Sequence, residues 1–304
     1  MKSKNKVMII LTIIVSVFVA GCSNQDDKAF EVPFDGTMDH VHGLGYAGND
    51  EGLYFASHTG LKIYRNGKWF KTSENFNDYM GFAAVNKGFY SSGHPGEDSN
   101  LPNPIGLQRS FDGGKTLEKI DFEGESDFHV MAVGFSSHDI ILLNEQKNSK
   151  LVEGIYLSED NGESWIEVTA SGLDGDILSL SIHPSNSKYI AAATNSGVYL
   201  SSDKGGNFTL ISEREAVGTA VFFNEENLYF ASYDKNPKFE KYNIDNDEIE
   251  NMYLPELYDD GPVFIAQNPK DTKQLAIYTI KGQAYVSSDY SETWEQILID
   301  NRVK

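Results

Sequence analysis

An all-β, six-bladed β-propeller is the fold class that this sequence predicts, on three observations. The pattern Ser-x-Asp-x-Gly-x-(Thr/Ser/Asn)-(aromatic or Leu) recurs as SFDGGKTL from Ser110, SEDNGESW from Ser158 and SSDKGGNF from Ser201, with a worn copy, SSDYSETW, from Ser287. The starts lie 48, 43 and 86 residues apart, and the last interval is twice 43, so one unit has lost its signature. A fixed period of this length marks stacked or radial repeats. Within each unit, four short runs rich in Val, Ile, Tyr and Phe are separated by Gly, Asn, Asp and Ser clusters, the signal for antiparallel strands. No segment sustains a helical period.

The units follow in order from Asp39. Blade one runs from Asp39 to Ser73, blade two from Asp78 to Phe122 and blade three from Asp127 to Thr169. Blade four is the clearest, as DILSLSIHP, KYIAAATNSG, GVYLSSDKGG and NFTLISE, and blade six copies it as PVFIAQNP, QLAIYTIKG, QAYVSSDYSE and TWEQILI. Blade five, Val217 to Tyr253, holds the erased signature and keeps only an Asn/Asp turn between its last two strands. Blade one has a bare Asn66-Gly67 turn, a strong hairpin signal. Trp69, Trp165 and Trp294 all start a fourth strand, which predicts one shared packing role.

The residues before the propeller read as an address. Lys2, Lys4 and Lys6 precede an uncharged apolar run from Val7 to Ala20, too short for an ordinary spanning helix. The run ends in Val19-Ala20-Gly21-Cys22, and Cys22 is the only cysteine of the chain. This end resembles the lipobox of bacterial lipoproteins, which implies a signal peptide over residues 1–21 and lipidation of Cys22. Its acyl chains, palmitate among them, would hold the protein on the outer face of the cell membrane. Residues 22–37 would be a tether, and residues 38–304 the propeller. With no other thiol, stability must come from packing rather than disulfides.

Composition narrows the partners. Lys and Arg number 25 against 45 Asp and Glu, a formal net charge of −20, and residues 1–21 carry three of the lysines and no acid. So acidic a chain is not built for nucleic acid. It suits cations or a basic protein partner, or a solubilising surface.

The repeated signature resembles the Asp box, or BNR repeat, of sialidases, sortilin-like proteins and related propellers. That resemblance implies that Asp112, Asp160, Asp203 and Asp289 are structural, each holding the turn between strands three and four. It also implies that the glycine is left-handed and that the aromatic packs between blades. These turns mark one face, along with the loops between strands one and two, so a ligand is expected on the other.

Five of the seven histidines sort to that other face: His40 and His42 at the start of blade one, His58 ending its second strand, His94 ending the second strand of blade two, and His129 beginning blade three. His138 and His183 fall in turns between strands one and two and read as structural. Asn195 of blade four stands where His58 does, so an ordinary blade needs no histidine there. The strand period of two sets His40 and His42 on one face, as two metal ligands would be, while His129 counts one position out of that register. Copper or zinc is the cofactor these residues suggest. An acid precedes strand one in most blades, as Asp39, Asp78, Asp127, Asp176 and Asp260, which fits capping as well as catalysis. Blade two adds a long loop, SSGHPGEDSNLPNPIGLQRS, with Glu97 and Asp98 as a stiff pocket wall or lid.

The segments HVHGLGY, SHTGL, SGHPGEDSNLPNPIGLQRSFDGGKT and DFHVMAV together resemble a bacterial group of exported Asp-box proteins labelled glycosylhydrolase-like. The resemblance spans the mature chain and implies no catalytic assignment. A sialidase needs three arginines on the substrate carboxylate and a Tyr/Glu nucleophile pair. Arg65, Arg109, Arg214 and Arg302 do not assemble one. Other glycoside hydrolysis needs two carboxylates, for which Asp39, Asp78, Asp127, Glu97 and Asp98 are weak candidates. The leading expectation is therefore a membrane-tethered binding or assembly module that holds a metal through His40, His42, His58, His94 and His129. The alternatives are a glycoside hydrolase acting on surface glycan and a docking propeller for a basic protein.

Overall fold

A computed structural model describes residues 29–97 and 99–304. The expected leader, the expected lipidation site Cys22, and Asp98 lie outside the described residues. All regular structure within them is β-strand, in six antiparallel sheets of four or five strands. The first strands of the blades are the innermost: Val41–Tyr46, Asp78–Ala84, Met131–Val133, Ile177–Ile182, Val217–Phe223 and Pro262–Asn268. Each neighbours the next around a ring, and the last neighbours the first. The fold is a six-bladed β-propeller.

Its apolar interior explains why the repeat is stable as a ring and not as single blades. Six buried clusters each draw on two neighbouring blades, so every blade buries both faces only when flanked. The three tryptophans share one role, packing back against the preceding blade: Trp69 against Tyr278, through Phe55, Trp165 against Phe122, and Trp294 against Phe239.

The four repeated turns share one hydrogen-bond pattern. In the second, Ser158 Oγ bonds to Asp160 Oδ1 at 2.8 Å and accepts from the Gly162 amide at 2.8 Å, while Asp160 also accepts from the Ser164 amide at 2.9 Å. The hydroxyl of Ser164, then its amide and the Ser158 hydroxyl, donate to the Asp160 carboxylate and lower it to about 2. Asp112, Asp203 and Asp289 repeat the arrangement. Ser291, which replaces the glycine, keeps the left-handed backbone at φ 74°. These four aspartates are occupied in holding turns.

Order begins earlier than the expected start near Asp39. Within the expected tether, Glu31–Pro33 pairs with the outer strand of blade one, Lys68–Thr72. The chain then crosses to blade six, where Thr37 bridges Arg302, the Met38 amide bonds to the Asn301 carbonyl at 2.7 Å and the Val303 amide to the Gly36 carbonyl at 3.0 Å. One segment therefore staples the first blade to the last. The pairing satisfies backbone groups that a free edge would expose, and composition alone does not show it.

Candidate metal centre on the face away from the repeated turns

Strand register, rather than the count of two, decides which residues meet. In blade one, Val41 pairs with Ser57 and Gly43 with Ala56, so His42 is the extra residue of a β-bulge. Equivalent bulges open the innermost strands of blades two, four, five and six, at Met80, Leu178, Thr219 and Val263. A bulge re-aims a side chain at the rim of a barrel or next to a site. Blade three has no paired strand there, yet the same position is found by counting four residues back from the last paired residue. Tyr46, which pairs with Leu53, gives His42, and Val133, which pairs with Ile140, gives His129. His129 is thus in register with His42, a correction to the count from sequence. The innermost strand of blade three has only three residues, Met131–Val133, so its alternation could not be read.

Close approach of neighbouring strands brings the groups together. A Cβ on Gly43 would stand 2.6 Å from Phe82 Cβ, and one on Gly81 would stand 2.2 Å from the Phe128 carbonyl oxygen. Both glycines directly follow a bulged residue, and both let the next blade come in where a side chain would not.

At the boundary of blades one and two, His58 Nδ1 lies 2.9 Å from Asp78 Oδ2, and His58 Nε2 lies 3.2 Å from His42 Nε2. The His40 ring stacks on His42 at 4.8 Å between centroids and 17° between planes. Asp78 Oδ1 is buried with no hydrogen-bond partner. Burial pushes His42 down to about 4, helped by the neighbouring His58 and His40 and opposed by Asp78, so its ring is neutral at physiological pH. Among the described residues, His42, His58 and Asp78 form a group of possible ligands whose donor atoms all lie within 4.8 Å of one another. Two nitrogens about 2.0–2.1 Å from a tetrahedral ion stand roughly 3.3 Å apart, close to the observed separation. A ligating histidine ordinarily donates its other ring N–H to a carboxylate, which is the relation of His58 to Asp78. The residues fit a transition-metal ion.

The boundary of blades two and three uses equivalent positions differently. His94 Nε2 lies 3.1 Å from Asp127 Oδ2, and His129 Nε2 lies 2.9 Å from the same oxygen. His94 Nδ1 faces Asn103 Oδ1 at 2.7 Å. Both nitrogens of His94 therefore face oxygen atoms rather than another imidazole. Glu145 Oε2 stands 4.0 Å from His129 Nδ1 and occupies the position of His58, a relation hidden in the sequence because the residue type changes.

The five histidines thus divide between two clusters, and the acids divide as well. Asp39 accepts from Thr59 Oγ1 at 2.8 Å, Asp176 from Asn195 Nδ2 at 2.9 Å and Asp260 from the Lys281 amide at 3.0 Å, each tying down the turn between strands two and three of its own blade. Asp78 and Asp127 instead receive histidines. Glu97 is exposed on the long loop of blade two. The remaining histidines are satisfied in place: His138 between Tyr90 and Asn86, and His183 against the Glu225 carbonyl. Arg65 and Arg109 are held by Glu31, Asp50 and Glu118. A central channel of about 850 Å³ opens beside the histidines, with His42 and His129 in its lining and Leu44, Phe82, Met131 and Phe264 in its wall.

Neither a protein-family model nor a curated protein matches the chain. Solved structures do. The chain is similar to the GH74 enzyme of Niastella koreensis at 16% identity and TM-score 0.59, over 89% of this chain and 47% of that one, so it spans less than half of that enzyme. It is similar to YCF48 bound to D1 peptide at 14% identity and TM-score 0.52, over 89% of this chain and 85% of that one. The Pan2 WD40 domain of Neurospora crassa gives 14% and 0.52, over 88% and 87%. Enzymes and binding propellers share this architecture, and a fold common to both does not choose between them.

Proposed function

We propose that this chain is a membrane-anchored, extracytoplasmic binding or assembly propeller that holds a copper or zinc ion at the channel mouth. His42 and His58 ligate the ion through Nε2, Asp78 orients His58, and His40 stacks behind. The observation that carries this reading is the 3.2 Å approach of two imidazole nitrogens, with a carboxylate fixed behind one of them. Anchoring rests on Cys22 and the leader before it. A surface glycan or a protein is the partner such a module would present to.

The glycoside-hydrolase reading is weaker on the same geometry. It asks for one carboxylic acid and one carboxylate free to act across a sugar. Asp39, Asp78 and Asp127 each already accept from a side chain of their own surroundings. Titration of the purified protein with zinc(II) and copper, with His42→Ala and His58→Ala beside it, tests the proposal. Saturable binding at one ion per chain, lost in both variants, is expected. No measurable binding to the unaltered protein overturns it.

A further inference from the structure

We infer that the other end of the channel holds a second binding site, a groove between blades five and six that takes a saccharide chain free of acidic groups. It lies on the face of the repeated turns and does not depend on the ion. Blades one to four line the channel only from their innermost strands and the residues on either side of them. Blades five and six also contribute residues from farther out: Lys241, Glu250 and Tyr253 from one, Thr272 and Tyr290 from the other. The cavity thus runs outward along that boundary, beside the blade that has lost its repeated turn. Two large aromatic residues of its lining stand open to solvent, Tyr253 at 69% exposure and Tyr290 at 46%.

The fourth repeated turn places both tyrosines. The other three put Gly113, Asn161 or Lys204, and then a glycine, at two successive left-handed positions, whereas the fourth puts Tyr290 at φ 60° and Ser291 at φ 74°. A bulky side chain is unfavourable there. Backbone strain of this kind gathers at functional sites. Ser291 also does what glycine could not: its buried Oγ accepts from the Tyr253 amide at 3.2 Å, while Trp294 Nε1 donates to the Tyr253 carbonyl at 3.0 Å. One turn therefore carries Tyr290 and holds the backbone of Tyr253. Phenol rings stack on the C–H faces of a pyranose, and carboxylates beside them accept from its hydroxyls. Lys241 pairs with Glu250, which leaves Glu226 and Glu292 of the lining exposed and without a cation among the described residues. Such a groove repels an acidic polymer. The outer strand beside it, Ile249–Asn251, has three residues, too short an edge to template an extended peptide.

Calorimetric titration of the purified protein with oligomers of glucose, N-acetylglucosamine, glucosamine and galacturonic acid tests the inference. Binding of a neutral or amine-bearing oligomer, and none of the galacturonate, is expected. Tyr253→Ala and Tyr290→Asn should each weaken the bound oligomer about tenfold or more. Asn161 holds the same place as Tyr290 in the second turn, so Tyr290→Asn should lose binding without lowering Tm. Zinc(II) titration of both variants should match that of the unaltered protein, which separates the groove from the histidines. Binding of none of these oligomers, binding of a lysine-rich peptide in their place, or unchanged affinity in both tyrosine variants overturns the inference and leaves the ion site standing.

Discussion

The boundaries between blades one and two and between blades two and three are built on the same positions and arrive at different chemistry. Each sets the residue ending a second strand, His58 or His94, against the aspartate opening the next blade, Asp78 or Asp127. At the first, the aspartate takes one imidazole and leaves two Nε2 atoms facing each other. At the second, a single carboxylate oxygen takes two imidazoles, and Asn103 takes the remaining nitrogen of His94. A histidine count cannot separate these cases. What separates them is what each nitrogen faces: both nitrogens of His94 face oxygens, whereas the Nε2 atoms of His42 and His58 face each other across 3.2 Å.

The widest separation between the two boundaries should come from paired substitutions. His42→Ala with His58→Ala should reduce ion affinity by about a hundredfold or more, whereas His94→Ala with His129→Ala should leave it within roughly threefold, as read by calorimetric titration. A large loss in the second pair would merge the clusters into one site. The carboxylates should split the same way on a smaller scale. Asp78→Asn should cost about 10–100-fold in affinity through misorientation of His58. Asp127→Asn should spare affinity and instead lower Tm by a few degrees, because two imidazoles lose their acceptor.

Acid should distinguish the boundaries next, in the metal-free protein. His42 is lowered from 6.5 to about 4 in the folded state, so between these values the unfolded chain binds more protons. Stability is then full above about pH 6.5 and falls as pH drops toward 4. Solvent screening of the part-buried ring should keep the slope well under the ceiling of ~1.4 kcal/mol per pH unit. Urea unfolding across this range should show the slope, and His42→Gln should flatten it; an unchanged slope would assign the acid sensitivity elsewhere. The smallest expected effect is that of Asn195→His. It restores a histidine at the position of His58, but blade four offers Leu178 in place of His42, so titration should still count one ion.

Much of the fold was legible because the repeat is written in residues whose roles are local. Asp160 and Gly162 shape the turn they sit in, and Trp165 starts the strand that follows. The gathering of histidines on one face was legible for the same reason, since loop order fixes the face. Their partners were not. A bulge adds a residue without any signature, so His129 counted out of register with His42. The aspartates read alike at the head of each blade, yet register separates them: Asp78, Asp127 and Asp176 stand level with His40, and Asp39 and Asp260 one residue earlier. The staple between Gly36 and Val303 joins opposite ends of the chain, where no local pattern reaches.

The central claim is that the ion belongs to the first boundary alone. Long-range proton–nitrogen spectra of the imidazoles, recorded while zinc(II) is added to the purified protein, test it most directly, because a d¹⁰ ion leaves the signals sharp. The expected result is that the Nε2 signals of His42 and His58 move to metal-bound positions and those of His94 and His129 stay in place. Movement of the His94 or His129 signals instead, or of none, would contradict it.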